Sequence, residues 1–134
     1  MTIEKKELGA KGEEIAARYL ERRGYRILER NYRIRLGEID IIAKQGGDLV
    51  FIEVKTRSDI LFGSPLESVT LAKQKQLSKV ALEYVNKHDC HNSPSRFDVV
   101  GVQFDGLRCS KFKDAKIELV QNAFELCYGN FLNP

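Results

Sequence analysis

Apolar residues fall at helical spacing near the start of the chain, at Leu8, Ile15, Ala16, Tyr19 and Leu20, and Gly24 is placed to end the run. The spacing predicts a helix from about Lys5 to Arg23. From Tyr25 onward the period shortens to that of strands. Tyr25 to Ile34 reads as a first strand with Tyr25, Ile27, Tyr32 and Ile34 as its apolar positions, Glu38 to Lys44 as a second, and Leu49 to Thr56 as a third. Gln45-Gly46-Gly47-Asp48 is a turn signal between the last two, which makes them a hairpin.

Residues 57–64 read as a polar loop ending in Phe62-Gly63. Ser64-Pro65-Leu66-Glu67 has the form of a capping box with proline at the first helical position. It is expected to open a second amphipathic helix through Leu71, Leu77, Val80, Ala81, Tyr84 and Val85. His88 to Ser95 is then a loop, Phe97 to Phe104 a fourth strand, and Asp105-Gly106 a hairpin signal. A fifth strand is expected near Ile117–Val120 and a short last helix around Ala123–Cys127. The order αβββαββ places the chain in the α/β class, with a central sheet flanked by helices. No repeat, long linker or low-complexity tract interrupts residues 1–134, which read as a single domain.

The formal net charge of +3 says little, but its distribution says more. Counting Lys and Arg against Asp and Glu, residues 1–35 carry 10 against 6, residues 36–72 carry 3 against 6, and residues 73–113 carry 8 against 4. An acidic centre between two basic segments suits a cation site flanked by a phosphate-binding surface. Three cysteines without a CxxC spacing argue against a disulfide framework and for a reducing compartment. No apolar run reaches the ~20 residues needed to span a bilayer. No membrane association and a cytoplasmic location are the expectation. His88-Asp89-Cys90-His91 lacks a second ligand pair at suitable spacing, so zinc is not expected there.

The acidic centre contains Asp40 on the second strand and Glu53-Val54-Lys55 on the third. Strand alternation puts Glu53 and Lys55 on one face, with Val54 on the other. The hairpin brings Asp40 towards them. Phe51, Ile52 and Val54 are apolar, so the charges sit beside buried positions and call for a reason. Two carboxylates suit a hard cation such as Mg²⁺ or Mn²⁺ that keeps part of its water. A lysine beside them suits water activation and the charge of a phosphoryl transition state. The Val54 carbonyl is a further candidate ligand. On spacing alone, a structural Glu–Lys pair at a sheet margin explains the triplet as well.

The triplet and its surroundings carry a resemblance. Asp40, twelve residues, then Glu53-x-Lys55 is similar to the PD-(D/E)xK nuclease superfamily, with Ile39 where proline is usual. Gly9-x-x-Gly12-Glu13, Gly24-Tyr25, Asn31-Tyr32-Arg33, Gly37-Glu38-Ile39-Asp40, Phe51 to Arg57, Phe62 to Pro65 and Arg96-Phe97-Asp98-Val99-Val100 together resemble the YraN-like family. That family is grouped with Holliday junction resolvase-like endonucleases. The resemblance covers roughly residues 8–102. It implies a restriction-endonuclease-like core, a divalent metal on Asp40 and Glu53, and Lys55 as catalytic lysine. Resolvase-like members add an acid from the first helix, which falls on Glu13. By helical projection Glu13 lies about 20° from Leu20, at the margin of the apolar stripe, a position that reaches towards a metal at the sheet edge; without the resemblance, a carboxylate favoured near a helix N-terminus is the plainer explanation.

Glu38 shares a strand face with Asp40 and is a candidate for a second ion. Gly9 and Gly12 suit a close approach of helix and sheet. Arg57, Lys73, Gln74, Arg33, Arg35 and Arg96 are candidate nucleic-acid contacts. The implied partner is nucleic acid, DNA ahead of RNA, and junction resolvases extend the analogy to a homodimer. The expected activity is metal-dependent hydrolysis of phosphodiesters, with branched DNA among the substrates. A non-catalytic nucleic-acid-binding module and a protein-interaction module on the same fold are the alternatives.

Overall fold

A computed structural model describes residues 3–58, 65–104 and 115–126. In chain order the elements are α1 (Ile3–Arg22), β1 (Arg26–Ile34), β2 (Gly37–Gln45), β3 (Asp48–Arg57), a 3-10 turn (Pro65–Ser68), α2 (Leu71–Lys87), β4 (Ser95–Gln103) and β5 (Lys116–Phe124). The strands form one mixed sheet in the order β1-β2-β3-β4-β5. Every neighbouring pair is antiparallel except β3 and β4, which run parallel across the α2 connection.

Alternation on β3 explains why the sheet needs a helix on each face. Val50, Ile52 and Val54 pack towards α1 with Ile15, Ala16 and Leu20. Leu49 and Phe51 pack towards α2 with Leu77, Val80, Ala81 and Tyr84. Such a central strand reads as an almost continuous apolar run. The β2–β3 hairpin turns on Gly46-Gly47, with Gln45 paired to Asp48. Gly46 has φ +59, the positive φ that a two-residue hairpin loop requires and glycine accepts without steric cost.

At Gly12, α1 approaches the sheet closely: a Cβ there would overlap the Oγ1 of Thr56 on β3. Gly9 has open space around it, so of the two glycines only Gly12 serves this contact.

Three expectations need correction. The capping box at residues 64–67 does not open α2: Pro65–Ser68 forms the 3-10 turn. The helix begins after Thr70, whose hydroxyl accepts the Lys73 N–H at 3.1 Å. Leu71 is consequently first-turn surface, 60% exposed, not core. The expected helix around Ala123–Cys127 is absent over its described part, because Ala123 and Phe124 continue β5 with Phe124 stacked on Phe97. The Asp105-Gly106 turn, Ser64 and Cys127 lie outside the described residues.

Candidate functional site

The β2–β3 ladder runs from Gln45↔Asp48 to Ile41↔Ile52 and stops. The next pair in register would be Asp40 with Glu53, and it does not form. Beyond this point each strand keeps its outer partner: β2 stays on β1 as far as Ile34↔Gly37, and β3 stays on β4 as far as Arg57↔Gln103. The sheet therefore forks between β2 and β3. Asp40 fills the fork with its own side chain, whose Oδ2 accepts the Val54 N–H at 2.8 Å.

The fork coincides with a slip in side-chain alternation. Ile41 faces α1 while Ile39, two residues away, faces α2. In register with Asp40, Asn31 on β1 sits at φ +54, a left-handed conformation that asparagine tolerates better than most residues. With its amide nitrogen turned to the carboxylates, Asn31 donates to Glu13 Oε1 at 2.9 Å and to Glu38 Oε1 at 3.0 Å. Glu13 thus belongs to the site, brought in by α1 over the Gly12–Thr56 contact.

Three acids gather on the α1 side of the fork. Glu13, Glu38 and Asp40 line an open cavity of about 850 Å³ together with Asn31, Arg33 and Arg57. Burial and the nearby charge of Glu53 push the Asp40 carboxyl up to about 7, against the opposing hydrogen bond from Val54. A side-chain hydrogen bond with Glu53 and the charge of Glu38 act in the same upward direction. Glu13 is also raised, first by burial and then by Asp40 and Glu38.

Glu53 and Lys55 share the opposite, α2-facing side, as strand alternation requires. Glu53 is 6% exposed, and its Oε2 lies 3.5 Å from Lys55 Nζ and 3.8 Å from Lys73 Nζ on the first turn of α2. Asp40 is the bridge between the two sides. Among the described residues no three His, Cys, Asp or Glu side chains converge on one point to hold a metal ion. The acidic donors on offer are Asp40 and Glu53 at the fork, with Glu13 and Glu38 across the Asn31 amide.

The candidate nucleic-acid contacts separate. Arg57 and Arg33 line the cavity, with Arg33 bonded to Glu38 at 2.9 Å. Arg35 is exposed in the β1–β2 turn. Lys73 is held by Glu53. Gln74 donates to the Val69 carbonyl at 3.1 Å and secures the approach to α2. Arg96 is elsewhere, at the N-terminal ends of β3 and β4. Its side chain is 15% exposed, and the guanidinium bonds Asp98, Asp48, Gln45 and the Tyr25 hydroxyl. Asp98 is fully buried, so Arg96 compensates a core charge at a distance from the cavity.

Asn31 is the site residue whose role the sequence reasoning missed. The sequence held no signal for it: Tyr25 and Ile27 face α1 and Tyr32 and Ile34 face α2, the same faces that unbroken alternation would give them. Two irregularities lie between them and offset one another, the register shift between Ile27 and Glu29 and the left-handed Asn31.

The fold and site define a mixed α/β protein with a forked sheet, carboxylates at the fork and lysines behind them. Residues 12–102 match the family described as Uncharacterised protein family UPF0102. The chain belongs to that family. It is 47% identical over 128 residues to a UPF0102 protein of Geobacter metallireducens, covering 96% of this chain and all of the relative. A UPF0102 protein of Caldicellulosiruptor saccharolyticus is 46% identical over 122 residues, 91% of this chain and all of the relative. One from Clostridioides difficile is 44% identical over 119 residues, 89% of this chain and 97% of the relative. Among the described residues no helix is long and apolar enough to cross a membrane.

Proposed function

We propose that this protein is a metal-dependent endonuclease-like hydrolase of nucleic-acid phosphodiesters, built on a restriction-endonuclease-like core of the PD-(D/E)xK superfamily. The observation that carries the proposal is the fork: Asp40 and Glu53 meet where the ladder stops, and Lys55 stands on Glu53. Two carboxyls pressed together there, one of them pushed up to about 7, are a donor set that a divalent cation satisfies better than a shared proton does. Mg²⁺ binds readily through one or two carboxylates while keeping several waters, so two acids are enough. Asp40 and Glu53 would hold the ion, with the Val54 carbonyl as a further ligand. A bound Mg²⁺ or Mn²⁺ supplies Lewis-acid polarisation of a phosphoryl oxygen and a lowered pKa for water.

The chain's own residues do the rest. Lys55, held against Glu53, orients the attacking water and counters the negative charge that builds on the phosphoryl group. Arg33 and Arg57 on the cavity wall place a phosphate against the acids. Glu13 and Glu38, spaced by Asn31, complete the acidic wall. In the net reaction the water oxygen bonds to phosphorus as the ester P–O bond breaks, and the departing oxygen takes up a proton.

The pairing of Glu53 with both Lys55 and Lys73 favours a second reading, a non-catalytic nucleic-acid-binding module on the same frame. A cleavage panel decides between the two. Single-stranded, duplex and branched DNA, with matching RNA, are incubated with Mg²⁺ or Mn²⁺ and either wild type or Lys55→Ala. Cleavage by wild type alone supports hydrolysis. No cleavage of any substrate, or equal cleavage by Lys55→Ala, removes it.

A further inference from the structure

The chain has ten arginines and twelve lysines, and the arginines are unevenly placed. Seven of the arginines, Arg18, Arg22, Arg23, Arg26, Arg30, Arg33 and Arg35, fall within residues 18–35, and no lysine does. The segment is the end of α1 and the whole of β1, and β1 is an edge strand of the sheet. All seven are exposed.

Acids hold part of this array in place. Arg30 bonds Glu14 at 2.9 Å and Arg33 bonds Glu38 at 2.9 Å, so both lean to the α1 side, where the cavity opens. Arg22, Arg26 and Arg35 form no ion pair with another described residue. Arg26 lies opposite Lys44 at the far end of β1, and Arg35 lies in the turn beside the fork. Nine residues of strand separate them, about 30 Å at ~3.3 Å per residue. That span is close to one turn of a nucleic-acid duplex, about 34 Å.

Charges on an edge strand also keep edges from pairing, but lysine is the residue most used for that. Exclusive arginine calls for a different reason. The guanidinium fork meets phosphate oxygens two at a time, which an ammonium cannot do. Surfaces that bind single strands add aromatic platforms for the bases. Among the described residues no tyrosine or phenylalanine is exposed, and the exposed large apolar side chains are Leu28, Leu36 and Leu71. The half-buried aromatic ring within the array, Tyr19, is covered by the Arg23 guanidinium, so the array presents phosphate-binding groups and no open stacking face.

We infer that the α1–β1 arginine edge is a docking surface for the phosphate backbone of duplex nucleic acid, leading the duplex to the acidic fork. The inference rests on the proposed hydrolysis for what happens at the fork, but not for the binding itself.

The test is fluorescence anisotropy in EDTA, where nothing is cut, with a 20-base-pair DNA duplex and the same sequence as a single strand at 50–200 mM KCl. Arg22→Ala/Arg26→Ala/Arg35→Ala is compared with Lys75→Ala/Lys79→Ala/Lys87→Ala, which removes the same charge from exposed positions on α2. Arg35→Ala alone is the second variant, and Tm confirms that each is folded. The wild type is expected to prefer the duplex. The arginine triple is expected to reduce the slope of log affinity against log salt by about 2 to 3, and Arg35→Ala by about 1. The lysine triple is expected to leave the slope nearly unchanged. Equal losses in the two triples, or equal affinity for the single strand, overturn the inference, as does arginine-dependent binding of anionic lipid vesicles without DNA binding. If the wild type binds duplex through these arginines yet cuts nothing with metal, the docking surface stands and hydrolysis falls. If the arginine triple binds and cuts like wild type, hydrolysis stands and the docking surface falls.

Discussion

The Val54 N–H donates to Asp40 Oδ2 at 2.8 Å, in the place where the β2–β3 ladder would otherwise continue. One side chain thereby ends a strand pairing, satisfies a main-chain donor and sets a carboxyl beside Glu53. The fork is the local cause of the site, because a continuous ladder would leave no room for an ion or a phosphate between the strands.

The Asp40 carboxyl makes stability depend on pH in an unusual direction. Its folded-state value is about 7 against an ordinary 3.8, so between these limits the folded protein binds the proton more tightly than the unfolded chain. Stability from this group is fully present below about 4 and is lost as pH rises through about 7. In EDTA, Tm is expected to fall between pH 5 and pH 8, and Asp40→Asn to flatten the fall. Thermal melts across that range check this; a Tm that rises with pH and is indifferent to Asp40→Asn contradicts it.

Lys55 and Lys73 both approach Glu53, at 3.5 and 3.8 Å, but from different elements. Lys55 is fixed on β3 next to the fork, whereas Lys73 sits on the first turn of α2. Lys55→Ala is expected to lower kcat by about 100-fold or more, the scale of a lost proton-transfer group. Lys73→Ala is expected to raise KM several-fold and change kcat little. Steady-state kinetics on any substrate the wild type cuts separates the two.

Asn31 combines a left-handed backbone with an amide that spaces Glu13 from Glu38. Glycine keeps the backbone and removes the amide, while aspartate keeps the shape and reverses its polarity. Asn31→Gly is expected to fold with a Tm near wild type and to bind Mn²⁺ about 10-fold more weakly, the usual scale for losing a group that orients ligands. Asn31→Asp is expected to lower Tm at pH 8 through repulsion among the carboxylates. Wild-type Mn²⁺ affinity in Asn31→Gly would confine the residue to shaping the strand.

Gly12→Ala is expected to cost about 1–3 kcal/mol, since its methyl would overlap Thr56, which pairing with β4 holds in place. Thr56→Ala in the same chain is expected to restore part of the loss. Urea unfolding of the two single variants and the double variant measures the coupling.

Arg96→Ala is expected to lower stability by about 3–5 kcal/mol, because Asp98 would be left buried and uncompensated. Affinity for DNA is expected to remain unchanged in the protein that folds. Here the Arg96-Phe97-Asp98 motif informs on the core, although a basic residue in such a motif invites a phosphate-binding role.

The repeating parts of the fold were legible because period and turn chemistry agree. Helical spacing marked α1, and Gly46-Gly47 fixed the hairpin that carries the acids. The alternation Glu53-Val54-Lys55 put glutamate and lysine on one face, as found. Residues near Asp40 were harder to read, since a fork and a left-handed Asn31 break the period on which the reasoning depends. The start of α2 was misplaced because Ser64 to Glu67 satisfies a capping pattern locally, while Thr70 makes the cap in the fold. Arg96 looked like a surface cation because two of its partners, Asp48 and Tyr25, come from distant parts of the chain, and because the burial of its near neighbour Asp98 is set by the fold.

Titration calorimetry of Mn²⁺ into metal-free wild type and Asp40→Asn tests the central claim most directly, because it asks whether the β2–β3 fork holds a cation without requiring a substrate. The account predicts saturable binding to wild type at pH 8, weakened about 10-fold or more in Asp40→Asn, with both proteins folded. Equal binding by the two, or no binding by the wild type, would contradict it.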